Sequence, residues 1–107
     1  MYELPFGARL TDALVQILRD AAVQCVKGHP DFLPNLCFGA TSGHRPSEHW
    51  AVNAFSRSYM RDKDLFDIDD ITICIGPDDQ ARAAGRVLDW QQGVGVIEMD
   101  ASDLTSR

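Results

Sequence analysis

Apolar residues recur along this chain in two rhythms, and each predicts an element. Leu10, Leu14, Ile17, Leu18, Ala21 and Cys25 follow one another at spacings of four, three, one, three and four, the stripe of an amphipathic helix over Leu10 to Lys27. Thr11 is suited to cap it, with Leu10 and Val15 as a hydrophobic staple, and Lys27-Gly28 followed by Pro30 is a stop signal. From Ile71 to Ile75 the rhythm changes to a continuous run, β-branched at Ile71, Thr72, Ile73 and Ile75 and bounded by Asp69-Asp70 and Gly76-Pro77. Such a run fits a strand covered on both faces.

Pro77 has the backbone preset for a first helical position, and Asp78 and Asp79 complement the positive end of a helix dipole. Ala84, Val87, Leu88 and Gln91 then fall on one side of a predicted helix that runs to Gln92, with Gly93 at its end and a second strand over Val94 to Met99. Residues 71–99 therefore read as a βαβ-like unit, with strand, helix and strand in about the length of a parallel crossover.

The remaining elements are fainter. Tyr2 to Phe6 reads as a short strand that Pro5 confines to an edge. Gly28 to Asn35 holds two prolines and reads as an irregular connection, Leu36-Cys37-Phe38 as the start of a short strand, and Gly39 to Pro46 as a turn-rich segment. A second helix is predicted from about Pro46 to Tyr59 or Asp62, with Ala51, Val52, Phe55 and Tyr59 as its apolar face. An acidic link from Asp62 to Asp70 leads into the central strand, and residues 100–107 read as a fraying tail. The expected architecture is one small domain over residues 1–107, α/β or α+β, with a sheet of three or four strands and about three helices.

Composition adds bounds. A chain of 107 residues, 45% hydrophobic, buries a core without disulfides or metal, and no stretch approaches a membrane span. The absence of a basic-then-apolar start and the odd number of cysteines, three at no framework spacing, point to a cytoplasmic protein with reduced thiols. Arginine dominates the basic residues, a habit of GC-rich bacterial genomes and their phages. Residues 1–60 carry five acids and five bases, so the whole net charge of −6 sits in residues 61–107, with eleven acids against five bases. That imbalance disfavours nucleic acid and anionic membrane as partners and favours a basic protein surface or simple solubility.

Candidate chemistry gathers between residues 25 and 49. Cys25, His29, Cys37, His44 and His49 are zinc's preferred ligand types, with His29, Cys37, His44 and His49 the candidates for a metal site, although no C-x-x-C pair accompanies them. Cys37 and His44 could alternatively serve as nucleophile and base, with Asn53 or Glu48 as orienter. Thr41 to Arg45 ahead of a helix start at Pro46 offers hydroxyls and a guanidinium to an anion, whereas Gly76-Pro77-Asp78-Asp79 sets carboxylates where a phosphate would lie. The aspartates of the acidic link lack the glycine and terminal glutamate of a calcium-binding EF-hand loop.

Taken together these features favour a non-catalytic, inhibitor- or immunity-like protein that docks on a larger, basic protein partner and needs no cofactor. Its expected contact residues are Asp62, Asp64, Phe66, Asp67, Asp69 and Asp70, with Arg57 and Tyr59 beside them: apolar anchors among steering charges. The alternatives are a metal-binding or cysteine/histidine-based enzyme using Cys37, His44 and His49, and a structural homo-oligomer, for which a homodimer is the simplest form.

Overall fold

A computed structural model describes residues 1–40 and 48–99 of the protein. Eight strands form one mixed sheet, β1 (Tyr2–Glu3), β2 (Arg9–Leu10), β3 (Phe32–Ala40), β4 (Glu48–Ser56), β5 (Leu65–Ile68), β6 (Ile71–Cys74), β7 (Val87–Gln91) and β8 (Gly95–Met99), in the spatial order β1-β2-β7-β8-β4-β3-β6-β5. Two α-helices accompany it among the described residues, α1 (Asp12–Gly28) and α2 (Pro77–Ala83), with single 3₁₀ turns at Arg57–Tyr59 and Asp62–Asp64. The expected sheet of three or four strands with about three helices is thus corrected to a nearly closed, barrel-like sheet with two.

The sheet curls until its two edges meet through side chains. The Tyr2 hydroxyl donates to the Asp67 carbonyl at 2.6 Å, and the rings of Phe6 and Phe66 stack edge to face with centroids 5.2 Å apart. Helix α1 lays one apolar face, Leu14, Val15, Leu18 and Cys25, against the sheet, packing on β3, β4, β6 and β7, and leaves its other face to solvent. Leu14, Val15 and Leu18 meet Leu36, Trp50, Ile73, Leu88 and Val96 in one core. Thr11 caps this helix as expected, accepting from the Leu14 N–H at 3.3 Å, and Cys25 and Cys74 are buried.

One expected helix and the second half of another are strands instead. Residues 48–56 pair with β3 through nine consecutive partners, from Glu48 with Ala40 to Ser56 with Phe32. His49, Trp50, Val52, Asn53 and Phe55 are poor helix formers and fit a pleated surface better, and Trp50 and Val52 turn to the core while the alternating Asn53 and Phe55 face outward. The first of the two prolines that argued against a strand, Pro30, precedes β3, and the second is accommodated within it. Because the Arg57 N–H donates to the Asp31 carbonyl, hydrogen-bonded pairs of the hairpin fall on odd positions, and Pro34 opposite Ala54 forfeits no hairpin bond.

The βαβ-like reading of 71–99 is likewise corrected. Helix α2 ends at Ala83 because Gly85 adopts a left-handed φ of +78° and turns the chain into β7, which pairs parallel to β2 and antiparallel to β8. Gly93, at φ +84°, closes the β7–β8 hairpin rather than a helix. Strands β6 and β7 are not neighbours in the sheet.

One stretch of backbone has no neighbouring strand among the described residues. Strand β8 reaches β4 at Trp50 opposite Val96 and begins at Gly95, so among the described residues no strand pairs with the outward side of Val52–Ser56.

The conformational demand at Gly85 yields a paired prediction. A Cβ at Gly85 or at Gly28 meets no atom within 4 Å, so only backbone conformation separates the two sites. Gly85→Ala is expected to cost about 1 kcal/mol, and Gly28→Ala, without a left-handed φ, to be neutral or stabilising by up to ~1 kcal/mol. Urea unfolding midpoints measure both, and equal destabilisation would contradict the assigned turn.

Candidate functional site

The C-terminal half of α1 rides above the starts of β3 and β6 without covering them. Leu14, Leu18 and Cys25 point inward, while Val23 and Val26, on the flank of the same helix, are 55% and 58% exposed. Between that flank and the sheet lies an open groove of about 630 Å³. Its apolar walls are Val23, Val26, Phe32, Pro34 and Ile71, and its charged residues are Lys27, Asp31, Arg57 and Asp70. Its size is that of a ligand or peptide-anchor pocket, and contiguous exposed apolar surface of this kind marks interaction sites.

The charges around it are unequal in availability. Asp31 ties the end of β4 to the start of β3: its carboxylate accepts from the hydroxyl of Ser56, from the Ser58 hydroxyl at 3.0 Å and from the Ser58 N–H at 3.3 Å. The Ser56 and Ser58 bonds hold the Asp31 carboxyl below its ordinary pKa. Asp70 accepts from Arg19 at 3.2 Å. Lys27 and Arg57 make no ion pair among the described residues.

The acidic link is built into the fold rather than lying loose. Asp64 is 4% exposed; its carboxylate accepts from Arg61 Nε at 3.1 Å and Gln80 Nε2 at 2.9 Å, and its carbonyl from the Ile75 N–H. Asp67 accepts from the Thr72 hydroxyl at 2.7 Å, and Phe66 stacks on Phe6. Asp69, at φ +54°, and Asp70 form the β5–β6 turn, and both grip Arg19. Asp62, Arg57 and Tyr59 are exposed, Tyr59 at 86%. Of the expected contact residues, Arg57 and Asp70 thus line the groove, Asp62 and Tyr59 lie on the surface, and Asp64 and Phe66 are packed.

The candidate metal and cysteine residues are spread along the β3–β4 hairpin. His29 follows α1, stacks on Phe32 with centroids 5.0 Å apart, and accepts the Asp31 N–H on Nδ1 at 3.1 Å. Cys37 and His49 share the outward face near the other end, with Cys37 opposite Ala51. Burial raises the Cys37 thiol pKa and the Asp79 carboxylate raises it further, against an Asn53 Nδ2 contact at 3.0 Å, so the sulfur is held as the thiol at neutral pH. Among the described residues no three His, Cys, Asp or Glu side chains converge to hold a metal ion. His44 and the anion-binding candidate Thr41 to Arg45 lie outside the described residues.

A smaller cavity of about 340 Å³ adjoins Glu98 between α2 and β8. Burial opposes ionisation of Glu98, but the Trp50 indole and the guanidinium groups of Arg82 and Arg86 outweigh it, leaving its pKa lowered. Arg82 bonds Glu98 through two nitrogens, at 2.8 and 3.1 Å, and lies 4.4 Å from the Phe38 ring centroid. Beside it, the Asp79 carboxylate takes the Phe38 N–H at 3.1 Å, a donor that lies beyond the end of β6. This cluster clamps α2 to the sheet, with Glu98 paired to Arg82 and Arg86 and Asp79 bonded to backbone.

Sequence reasoning missed Val23, Val26, Lys27 and Phe32 as site residues. The available signal was two β-branched side chains on α1 outside its Leu14-Leu18-Cys25 stripe, where a solvated helix face carries polar residues.

The Asp31 bonds give a pH prediction. A depressed folded-state pKa contributes stability that is full above the unfolded value, about 3.9, and is lost as pH falls through the folded one. The stability advantage of the native protein over Asp31→Asn is therefore expected to be constant from about pH 7 to pH 5 and to shrink below about pH 4. Chemical denaturation at a series of pH values checks it, and an advantage that grows on acidification would contradict it. Comparison of the chain with family models, curated proteins and solved structures finds no match.

Proposed function

We propose that this protein is a small non-catalytic binding domain, inhibitor-like in action, that docks on a larger protein through the groove between α1, β3 and β6. The observation that carries the reading is the exposure of Val23 and Val26 together with Phe32 around one cavity beside unpaired charge. Apolar side chains half out of water contribute little to folding and have most of their burial free energy left for a partner, about 1 kcal/mol each at ~25 cal/mol per Å². The net charge of −6 supplies a long-range field that speeds the approach of a basic partner, with Asp69 and Asp70 on the surface at the groove end of the sheet. A paired, buried Asp64 and a protonated Cys37 favour binding over chemistry at these positions.

The expected experiment is site-specific photocrosslinking in extract of the source cell. A benzophenone side chain at Val26 is expected to crosslink one larger protein, with the yield cut at least about tenfold by Phe32→Asp and lowered by added salt. The same group at Asp78, exposed in the first turn of α2 beyond the opposite end of β6, serves as the control. Identical crosslinking from both positions, or insensitivity to Phe32→Asp, would contradict the reading.

A further inference from the structure

We propose that two copies of this chain pair through the free edge of β4, antiparallel about a two-fold axis at Phe55, so that the sheet of one copy runs on into the other. This edge is separate from the groove and independent of the docking reading. Among the described residues the N–H and C=O groups of Ala54 and Ser56 face out of the sheet with no strand beside them. An extended main chain is what such a row of donors and acceptors binds. Residues 52–56 carry neither charge nor proline, the usual guards of an exposed edge. The segments outside the described residues, 41–47 and 100–107, attach at the opposite end of β4: the first joins Ala40 to Glu48, and the second follows Met99, which the β4–β8 register sets beyond Glu48.

Two constraints fix the register. Outward groups of both copies must meet, which sets even positions of β4 opposite even positions. The pairing of Trp50 with Val96 puts Val94, in the β7–β8 turn, level with Val52, so the turn occupies the place of a strand there. The pairing that remains sets Ala54 opposite Ser56 of the second copy and Ser56 opposite its Ala54, each pair exchanging both N–H···O bonds. Phe55 then faces Phe55 of the second copy in a non-hydrogen-bonded pair, where side chains stand closest and two aromatics attract. Arg57 falls opposite Asn53, and no like charges meet. The exposed apolar surface agrees with this arrangement. Apart from Met1, the large apolar side chains exposed among the described residues form two groups: Val23, Val26 and Phe32 at the groove, and Phe55 (46%), Tyr59 (86%) and Val94 (70%) at this edge. In the register above, the Val94 turn of each copy lies level with residue 58 of the other, next to Tyr59, and Phe55 is covered on the axis. A strand from an unrelated protein would share the backbone bonds but not this apolar match, which makes a second copy the occupant.

Sedimentation equilibrium of the native protein from about 10 μM to about 1 mM, with amide exchange measured at both ends of that range, tests this. The average mass is expected to rise from that of a monomer toward that of a dimer, and the Ala54 and Ser56 amides to exchange at least about tenfold more slowly at the upper concentration. Phe55→Glu sets two carboxylates face to face on the axis and is expected to weaken association at least about tenfold; an equimolar mixture with Phe55→Lys is expected to restore it. Ala54→Pro removes an outward N–H that the hairpin does not use and is expected to weaken association likewise. Should that variant unfold, the two Phe55 variants, at a half-exposed side chain, decide the matter alone. A monomer at every concentration overturns the inference and leaves the edge to a strand of another protein. Slow exchange of Ala54 and Ser56 independent of concentration, the result of cover by the chain's own residues, overturns it too, as does a dimer indifferent to Phe55→Glu.

Discussion

Everything else in this molecule is hung on the long antiparallel pairing of β3 with β4. Nine consecutive partners make it the longest ladder among the described residues, and it supplies both the floor on which α1 packs and the wall of the groove. Its odd-position hydrogen bonds turn the even positions of β3 toward β6 and those of β4 toward β8. The consequences differ on the two flanks. On the β6 side, Pro34 has no N–H to give, the ladder shrinks to the single pair of Asn35 with Cys74, and the Phe38 N–H is satisfied by the Asp79 carboxylate from α2. On the β8 side the neighbour stops short, leaving Val52, Ala54 and Ser56 with outward backbone groups and no strand beside them among the described residues.

The acidic half of the chain is explained largely by how the ends of this sheet are fastened. Asp67 contributes its carbonyl to the Tyr2 hydroxyl where the two edges meet and its carboxylate to Thr72 across the β5–β6 hairpin. Asp69 and Asp70 hold Arg19 of α1, and Asp64 organises Arg61 and Gln80 around the start of α2. These acids are framework as well as field. The surface that they leave without internal employment is the apolar flank of α1 and the two cations at its foot, and that is where a partner gains most by burying surface.

How much of this was legible in the sequence depended on whether a signal was local. Helix α1 was readable to within a residue or two because its stripe, its Thr11 cap and its Lys27-Gly28 stop agree with one another. Strand β6 was readable from its β-branched run, and the start of α2 from Pro77. The second half of α2 was misread because Ala84, Val87, Leu88 and Gln91 satisfy a helical period by coincidence, while the decisive feature, the left-handed Gly85, is a single residue. Strand β4 was misread for a different reason: its partner β3 carries Pro34, which hid the strand that makes residues 48–56 extended. The groove was illegible because it forms only when the flank of α1 is laid across two strands from distant parts of the chain, although Val23 and Val26 gave notice of it. Asp70 and Arg57 were singled out for their charge, and the fold brings them to that groove.

Amide hydrogen exchange along β4, resolved residue by residue by NMR on the dilute protein, tests this account most directly. Ala51, Asn53 and Phe55, which bond into β3, are expected to exchange at least about a hundredfold more slowly than Val52, Ala54 and Ser56, whose N–H groups face the open side. That alternation is the signature of a strand paired on one side alone. Uniform protection across 51–56 with extended carbon shifts would contradict pairing on one side alone, and the unbroken protection and helical carbon shifts of a helix spanning this segment would contradict the hairpin on which the groove and its proposed partner depend.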